Sequence, residues 1–308
     1  MPDPSLRDVE WIAVDWGTSN MRAWAMSGDR VIAATSTGEG MGGLSRDAFE
    51  PALLAAVAPW LEAGRRTPVI ACGMIGARQG WVEAPYVAVP SIPMQPGNMS
   101  AIETTDPRIA VTIIHGLCQT APADVMRGEE TQIAGLLADE PDFDGLACLP
   151  GTHTKWAALR GGRVEQFRTF MTGEVFGLLA RHSILRHSIA DADGSDLDAF
   201  DAAVRDGAGD AAGIGAHLFS IRASGLLGGS PPDAARSRLS GLLIGMEVVA
   251  MQPAAGRGTV AIIGQDGLAG LYARAMELLG GSVRVVDAER CTLAGLAAAR
   301  RLMKGAKA

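Results

Sequence analysis

Hydrophobic and polar positions repeat on the same plan in two separated stretches of the chain. Residues 14–35, VDWGTSNMRAWAMSGDRVIAAT, and 148–169, CLPGTHTKWAALRGGRVEQFRT, each run through an apolar strand, a Gly-Thr turn, a basic residue, a second strand, a glycine-bearing turn and a third strand. Residues 11–15 and 146–149 supply the first strands. The turns at 27–30 (SGDR) and 160–163 (RGGR) carry the glycine that a tight hairpin needs for positive φ. After each meander the period lengthens to that of a helix, over 47–63 and 173–187. Unbroken apolar runs at 69–72, 109–114 and 259–264 read as strands buried on both faces. A Leu-Met stripe over 236–251 (Leu239, Leu242, Leu243, Met246, Val249) reads as a core helix. The pattern predicts a duplicated α/β fold with mixed sheets.

Composition narrows the function classes. With 308 residues, 48% hydrophobic and 20% charged, the chain buries a large core and, at roughly 100–200 residues per domain, allows about two domains. The formal charge of -7, without a basic block, argues against nucleic acid or an anionic membrane as partner and points to small molecules. No apolar run reaches the roughly 20 residues of a membrane span, and the first residues lack the features of a leader peptide, so the expected location is the cytoplasm. Cys72, Cys118, Cys148 and Cys291 are too scattered for a zinc site or a disulfide framework.

The paired turns carry the first chemistry. Backbone N–H groups and hydroxyls at a glycine turn make a concave anion site, and two such turns can grip a polyphosphate. The candidates are Gly17, Thr18, Ser19 and Arg22 in the first copy and Gly151, Thr152, Thr154 and Lys155 in the second. Asp15 ends the first strand where Leu149 ends its counterpart, so only the first copy offers a carboxylate to magnesium, an ion that favours one or two carboxylates plus phosphate oxygens.

Several motifs together, DWGTSNMRAW, CGMIGARQGWVEAPY at 72–86, MRGEETQ at 126–132, LPGTHTKW at 149–156, FRTFMTGE at 167–174 and LSGLLIGMEV at 239–248, resemble the 2-dehydro-3-deoxygalactonokinase family in order and spacing. The resemblance implies two ribonuclease H-like lobes of the actin, sugar-kinase and heat-shock ATPase type, residues 1–142 and 143–308, each with a five-stranded mixed sheet flanked by helices and with ATP and magnesium held between them. It also implies phosphorylation of the 6-hydroxyl of 2-dehydro-3-deoxy-D-galactonate in galactonate catabolism, by a monomer or homodimer. Kinases of related keto-deoxy sugar acids stay open as alternatives, as does a phosphatase or polyphosphate hydrolase on the same fold.

The resemblance also orders the remaining candidates. Phosphoryl transfer needs a group to accept the proton of the acceptor hydroxyl. The chain lacks the Asp that many sugar kinases carry at the start of the second lobe. Arg127, Glu129, Glu130 and Gln132 crowd the start of a helix running to residue 138, where the dipole favours carboxylates. Glu130 is the preferred proton acceptor by similarity to such folds, with Glu129 and Asp15 behind it. Arg78, Gln79, Trp81 and Tyr86, in a Gly- and Pro-rich segment, are assigned to the sugar acid, together with Glu39, His153, Thr172 and Glu174. Gly264, Gln265 and Gly267, in a strand-turn-helix unit, resemble the adenosine-binding element of this fold.

Overall fold

A computed structural model describes residues 8–255, 258–265 and 267–305. The chain divides into two compact units. The first holds residues through Phe143, with Arg160–Gln166 and the stretch from Ala288 onward; the second holds Asp144–Leu159 and Phe167–Asp287.

In the first unit β1 (Trp11–Trp16), β2 (Met21–Ser27) and β3 (Arg30–Thr37) form the expected meander, followed by α1 (Phe49–Val57) and β4 (Thr67–Gly73). Next come β5 (Tyr86–Ala88), β6 (Met99–Ala101), β7 (Ile109–Ile114), β8 (Gly116–Thr120), β9 (Ala123–Met126) and α2 (Glu129–Asp139). The sheet order is β3-β2-β1-β4-β7-β6, with β1, β4 and β7 parallel. This sheet has six strands rather than five, because the short β6 folds back antiparallel onto β7; β5, β8 and β9 make a separate three-stranded sheet. Alternation along β1 explains its burial. Ile12, Val14 and Trp16 pack with Phe49, Leu53 and Val69 on one face, while Trp11 and Ala13 join Trp24, Ile70 and Leu296 on the other.

The second unit repeats the plan with β10 (Gly145–Leu149), β11 (Thr154–Arg160) and β12 (Arg163–Phe170), then α3 (Thr172–His182), α4 (Arg186–Ile189), α5 (Leu197–Gly209), α6 (Ile214–Gly228), α7 (Pro232–Ala255), β13 (Thr259–Gly264), α8 (Leu268–Leu278), β14 (Ser282–Asp287) and α9 (Ala288–Gly305). Its sheet runs β12-β11-β10-β13-β14, five strands, with β10, β13 and β14 parallel. Each sheet therefore carries the ribonuclease H-like layout, an antiparallel meander continued by parallel strands. Of the predicted α7 stripe, Leu239, Leu242 and Leu243 are buried core while Met246 and Val249 are only half-buried, and Ile244 and Val248, outside the stripe, are buried as well.

The division differs from the expected 1–142 and 143–308, because α9 belongs to the first unit. It lies against α2 at two glycines, where a Cβ on Gly135 would stand 1.8 Å from the Cys291 carbonyl oxygen and one on Gly295 would stand 2.0 Å from that of Thr131. Backbones this close exclude any larger residue at either position. No described helix is long and apolar enough to cross a membrane.

Candidate active site

In the first unit the chemistry gathers at the carboxyl ends of the parallel strands, where open α/β sheets bind ligands. The Gly-Thr turn after β1 is closed by a hydrogen bond from the Gly17 N–H to the Asn20 carbonyl, 2.8 Å. Residues 38–43 brace it from below: Met41 N–H donates to Gly17 O at 3.0 Å, Gly42 N–H to Thr18 O at 2.9 Å, and Trp16 Nε1 to Glu39 O at 2.8 Å. Thr18 and Ser19 stay exposed. Opposite Asp15 in the β1–β2 ladder sits Arg22, which pairs with it at 3.3 Å and reaches Glu289 at 4.0 Å. Burial pushes the Asp15 carboxyl up and Arg22 offsets part of that rise; its side chain keeps 19% exposure.

Two left-handed glycines bring the start of α2 to the same edge. Gly73 (φ 88°) ends β4, and a Cβ there would lie 2.7 Å from Trp16 O and 3.4 Å from Asp15 Oδ1. Gly128 (φ 108°) precedes α2, and its Cβ would lie 3.3 Å from Gly73 Cα. Only residues without side chains allow these two turns to stack back to back. The result places Glu130 at 0% exposure, accepting from the Gly128 N–H at 2.7 Å and the Thr131 hydroxyl at 3.0 Å. Burial, reinforced by neighbouring Glu129, pushes the Glu130 carboxyl up to about 8. Buried Cys72 has its thiol pushed up by burial first and then by Asp15 and Glu130, so both carboxylates act on one spot. Glu129 instead turns back to cap Arg127 N–H at 3.0 Å.

The second unit carries a cavity of about 400 Å³ beside its own Gly-Thr turn. Gly151 and Thr152 form one wall; Phe200, Leu243, Leu271 and Tyr272 give an apolar floor; Arg236, Ser237 and Ser240 of α7 add polar groups. Under the floor lies a buried carboxylate, Glu247, which accepts from Trp156 Nε1 at 2.6 Å, from the Tyr272 hydroxyl at 2.8 Å and from the Thr172 hydroxyl. Burial pushes its carboxyl up. Thr154 in turn bonds the Tyr272 hydroxyl at 2.9 Å. These bonds tie β11, α3, α7 and α8 together around the cavity. A second cavity of about 680 Å³ adjoins it, sharing Thr152, Gly173, Phe176 and Arg236 and adding Glu174 and Arg181.

Residues 15–299 match the family model described as 2-keto-3-deoxy-galactonokinase. The chain belongs to that family. It is 43% identical over 303 residues to "Probable 2-dehydro-3-deoxygalactonokinase DgoK1" of Rhizobium meliloti (strain 1021), covering 94% of this chain and 96% of that one. It is 35% identical over 291 residues, with the same two coverages, to the 2-dehydro-3-deoxygalactonokinase of Escherichia coli (strain K12). A crystal structure from Sinorhizobium meliloti, described as "a putative 2-dehydro-3-deoxygalactonokinase protein", superposes with a TM-score of 0.86 at 42% identity, over 95% of this chain and 99% of that one. Membership makes the protein a carbohydrate kinase, a transferase that uses ATP.

Within this galactonokinase-family chain the sequence candidates sort as follows. Asp15, Gly17, Thr18, Ser19 and Arg22 share one edge with Glu129 and Glu130. Glu39 joins them through its backbone carbonyl, with its side chain exposed. Thr154 turns inward to Tyr272 and is fully buried, so its hydroxyl is not offered to phosphate. Lys155, at 7% exposure, points to the opposite face of β11 and donates to Thr169 Oγ1 at 2.8 Å. His153 and Glu174, bonded to each other at 2.5 Å, sit at the second turn, where Glu174 N–H also donates to Thr152 O at 2.9 Å. Thr172 spends its hydroxyl on Glu247. Trp81 is drawn into the core, stacked on Phe49 at 6.4 Å, while Arg78 and Gln79 lie exposed. Gly264, Gln265 and Gly267 shape the turn that starts α8 but stand outside the cavity lining, which Leu268 and Leu271 supply. The sequence reading passed over Arg236, Ser237, Ser240 and Glu247, although polar residues on one side of the α7 apolar stripe were their signal.

Proposed function

We propose that the protein transfers the γ-phosphoryl group of ATP to the 6-hydroxyl of 2-dehydro-3-deoxy-D-galactonate, giving the 6-phosphate in galactonate catabolism. The observation that carries this reading is the meeting of Asp15, the 17–20 turn and the Gly128–Glu130 start of α2 at one sheet edge, in a chain whose relatives are named 2-dehydro-3-deoxygalactonokinase.

The adenosine takes the apolar cavity of the second unit, with Ser237, Ser240 and Arg236 as polar contacts and Gly151 and Thr152 facing the phosphates. The first unit's own anion-binding candidates are the exposed 17–19 turn and Arg22, next to Asp15. Magnesium fits Asp15: a hydrated ion that keeps most of its waters asks for one or two carboxylates, and Asp15 is a part-exposed one at a strand end. When bound, the ion neutralises charge on the transferring phosphoryl group. Among the described residues no cluster of three His, Cys, Asp or Glu side chains forms a cation cage, as a site shared with phosphate oxygens requires none.

Glu130 accepts the proton of the acceptor hydroxyl in this reading, with a carboxyl near 8 poised close to the working pH. Its complete burial favours a second reading, in which part-exposed Asp15 takes the proton and neutral Glu130 supports it from beneath. A coupled ATPase assay over a panel of six-carbon keto-deoxy acids, including the gluconate-derived epimer, tests the substrate. Phosphorylation of 2-dehydro-3-deoxygalactonate at the highest kcat/KM is expected, and preference for another acid overturns that assignment.

A further inference from the structure

The start of α2 carries a second feature that the phosphoryl-transfer reading leaves unused. Arg127 is only 8% exposed, yet its Nε and Nη1 have no hydrogen-bond partner among the described residues; only Nη2 is engaged, donating to the Ala84 carbonyl at 2.7 Å. Glu129 reaches the Arg127 backbone N–H, and no described carboxylate hydrogen-bonds Nε or Nη1. The guanidinium lies in a slot that exists because position 76 is glycine, where a Cβ would stand 2.8 Å from Nη1. A buried, unpaired guanidinium is costly and persists where something outside the chain satisfies it.

The surroundings are donors as well. Asn98 Nδ2 is another buried donor without a described partner. The Asn98 carbonyl accepts from the N–H of buried His115, whose ring bonds Ser100 Oγ at 2.7 Å. Burial, and then the positive charge of Arg127, holds the His115 ring below its ordinary value. His115 follows β7 and residues 74–76 follow β4, so the cluster lies at the same carboxyl edge as Asp15. The face of the guanidinium is covered by the Tyr86 ring at 4.3 Å, and that ring is itself 41% exposed.

We propose that Arg127 is the subsite for the carboxylate of a 2-keto acid, reached when Tyr86 swings off the guanidinium. Resting on the kinase reading above, the assignment adds what recognises the acid end of the acceptor. The N–H bonds of Nε and Nη1 point away from each other, so a two-point fit to a carboxylate uses one of them together with the second N–H of Nη2, a planar fork that a lysine lacks.

The test is calorimetric titration with a non-hydrolysable ATP analogue present, so that turnover is not the readout. Wild type, Arg127→Met and Arg127→Lys are titrated with 2-dehydro-3-deoxygalactonate, its gluconate-derived epimer and the carboxamide of whichever acid binds. The expected result is a loss of acid affinity on the order of 100-fold in Arg127→Met, a partial loss in Arg127→Lys, and carboxamide affinity that is weak and equal in all three. The melting temperature of Arg127→Met is expected to stay level or rise, because an unpaired buried charge has gone; a structural arginine would lower it. Tyr86→Ala, which uncovers the guanidinium, is expected to keep acid binding. If the wild type binds an acid and Arg127→Met binds it equally well, the subsite is overturned and the kinase reading stands. If the wild type binds neither acid, both fall.

Discussion

Replacing Glu130 with glutamine separates the roles at the first sheet edge. The Glu130 carboxyl lies fully buried with both oxygens engaged, pushed up from 4.5 to about 8 by burial and then by Glu129. Because its native value exceeds that of the unfolded chain, the folded protein holds a proton that the unfolded chain releases. Its contribution to stability is fully present below about pH 4.5 and is lost as pH rises through about 8. At about 1.4 kcal/mol per pH unit the whole window is worth at most about 5 kcal/mol. Glutamine has the shape of the neutral acid and cannot ionise, so Glu130→Gln is expected to flatten this slope and to be the more stable protein at pH 9. Urea unfolding from pH 5 to pH 9, without ATP or magnesium, reads the effect. Parallel pH curves for the two proteins would refute the buried-acid account. In turnover the same variant loses about 10²–10⁴-fold if Glu130 takes the proton, with ATP affinity nearly kept. Near-normal turnover moves that role to Asp15.

Asp15→Asn is expected to raise the magnesium concentration needed for half-maximal rate as well as to lower kcat; a variant slowed with unchanged magnesium dependence would remove Asp15 from the metal. Lys155→Ala is expected to leave the rise in melting temperature produced by MgATP unchanged, each protein being compared with its own ligand-free form, because Lys155 is turned to the other face of β11 and held by Thr169; a smaller rise in the variant would return Lys155 to phosphate binding. Gly135→Ala forces a methyl into the Cys291 carbonyl and is expected to cost about 2–3 kcal/mol or more in chemical denaturation, whereas stability within 0.5 kcal/mol or so of wild type would contradict the tight α2–α9 crossing.

The duplicated meander was legible because its signals are local. Period-two burial, hairpin glycines and a terminal Gly-Thr turn depend on neighbours within about 20 residues, and both sheets formed around them. Placement of α9 was not legible, since its amphipathic pattern states that one face is buried and nothing about which unit buries it; two glycines 160 positions apart, 135 and 295, decide that. The same limit separates Thr154 from Thr152. Both hydroxyls stand in one turn motif, but strand pleating sends Thr154 inward to Tyr272, a residue 118 positions away. Trp81 read as a binding-loop aromatic and became core, because Phe49 offers it a stacking face that no local pattern announces. Arg127 appeared among the charged residues before α2, and only its burial without a partner marks it as different from them.

The position of the transferred phosphoryl group tests the central claim most directly. With ATP, magnesium and 2-dehydro-3-deoxygalactonate, phosphorus NMR of the product is expected to show a phosphomonoester coupled to the two protons on C6, formed in step with ADP. Release of inorganic phosphate without an ester, or an ester coupled to any other carbon's proton, would contradict it.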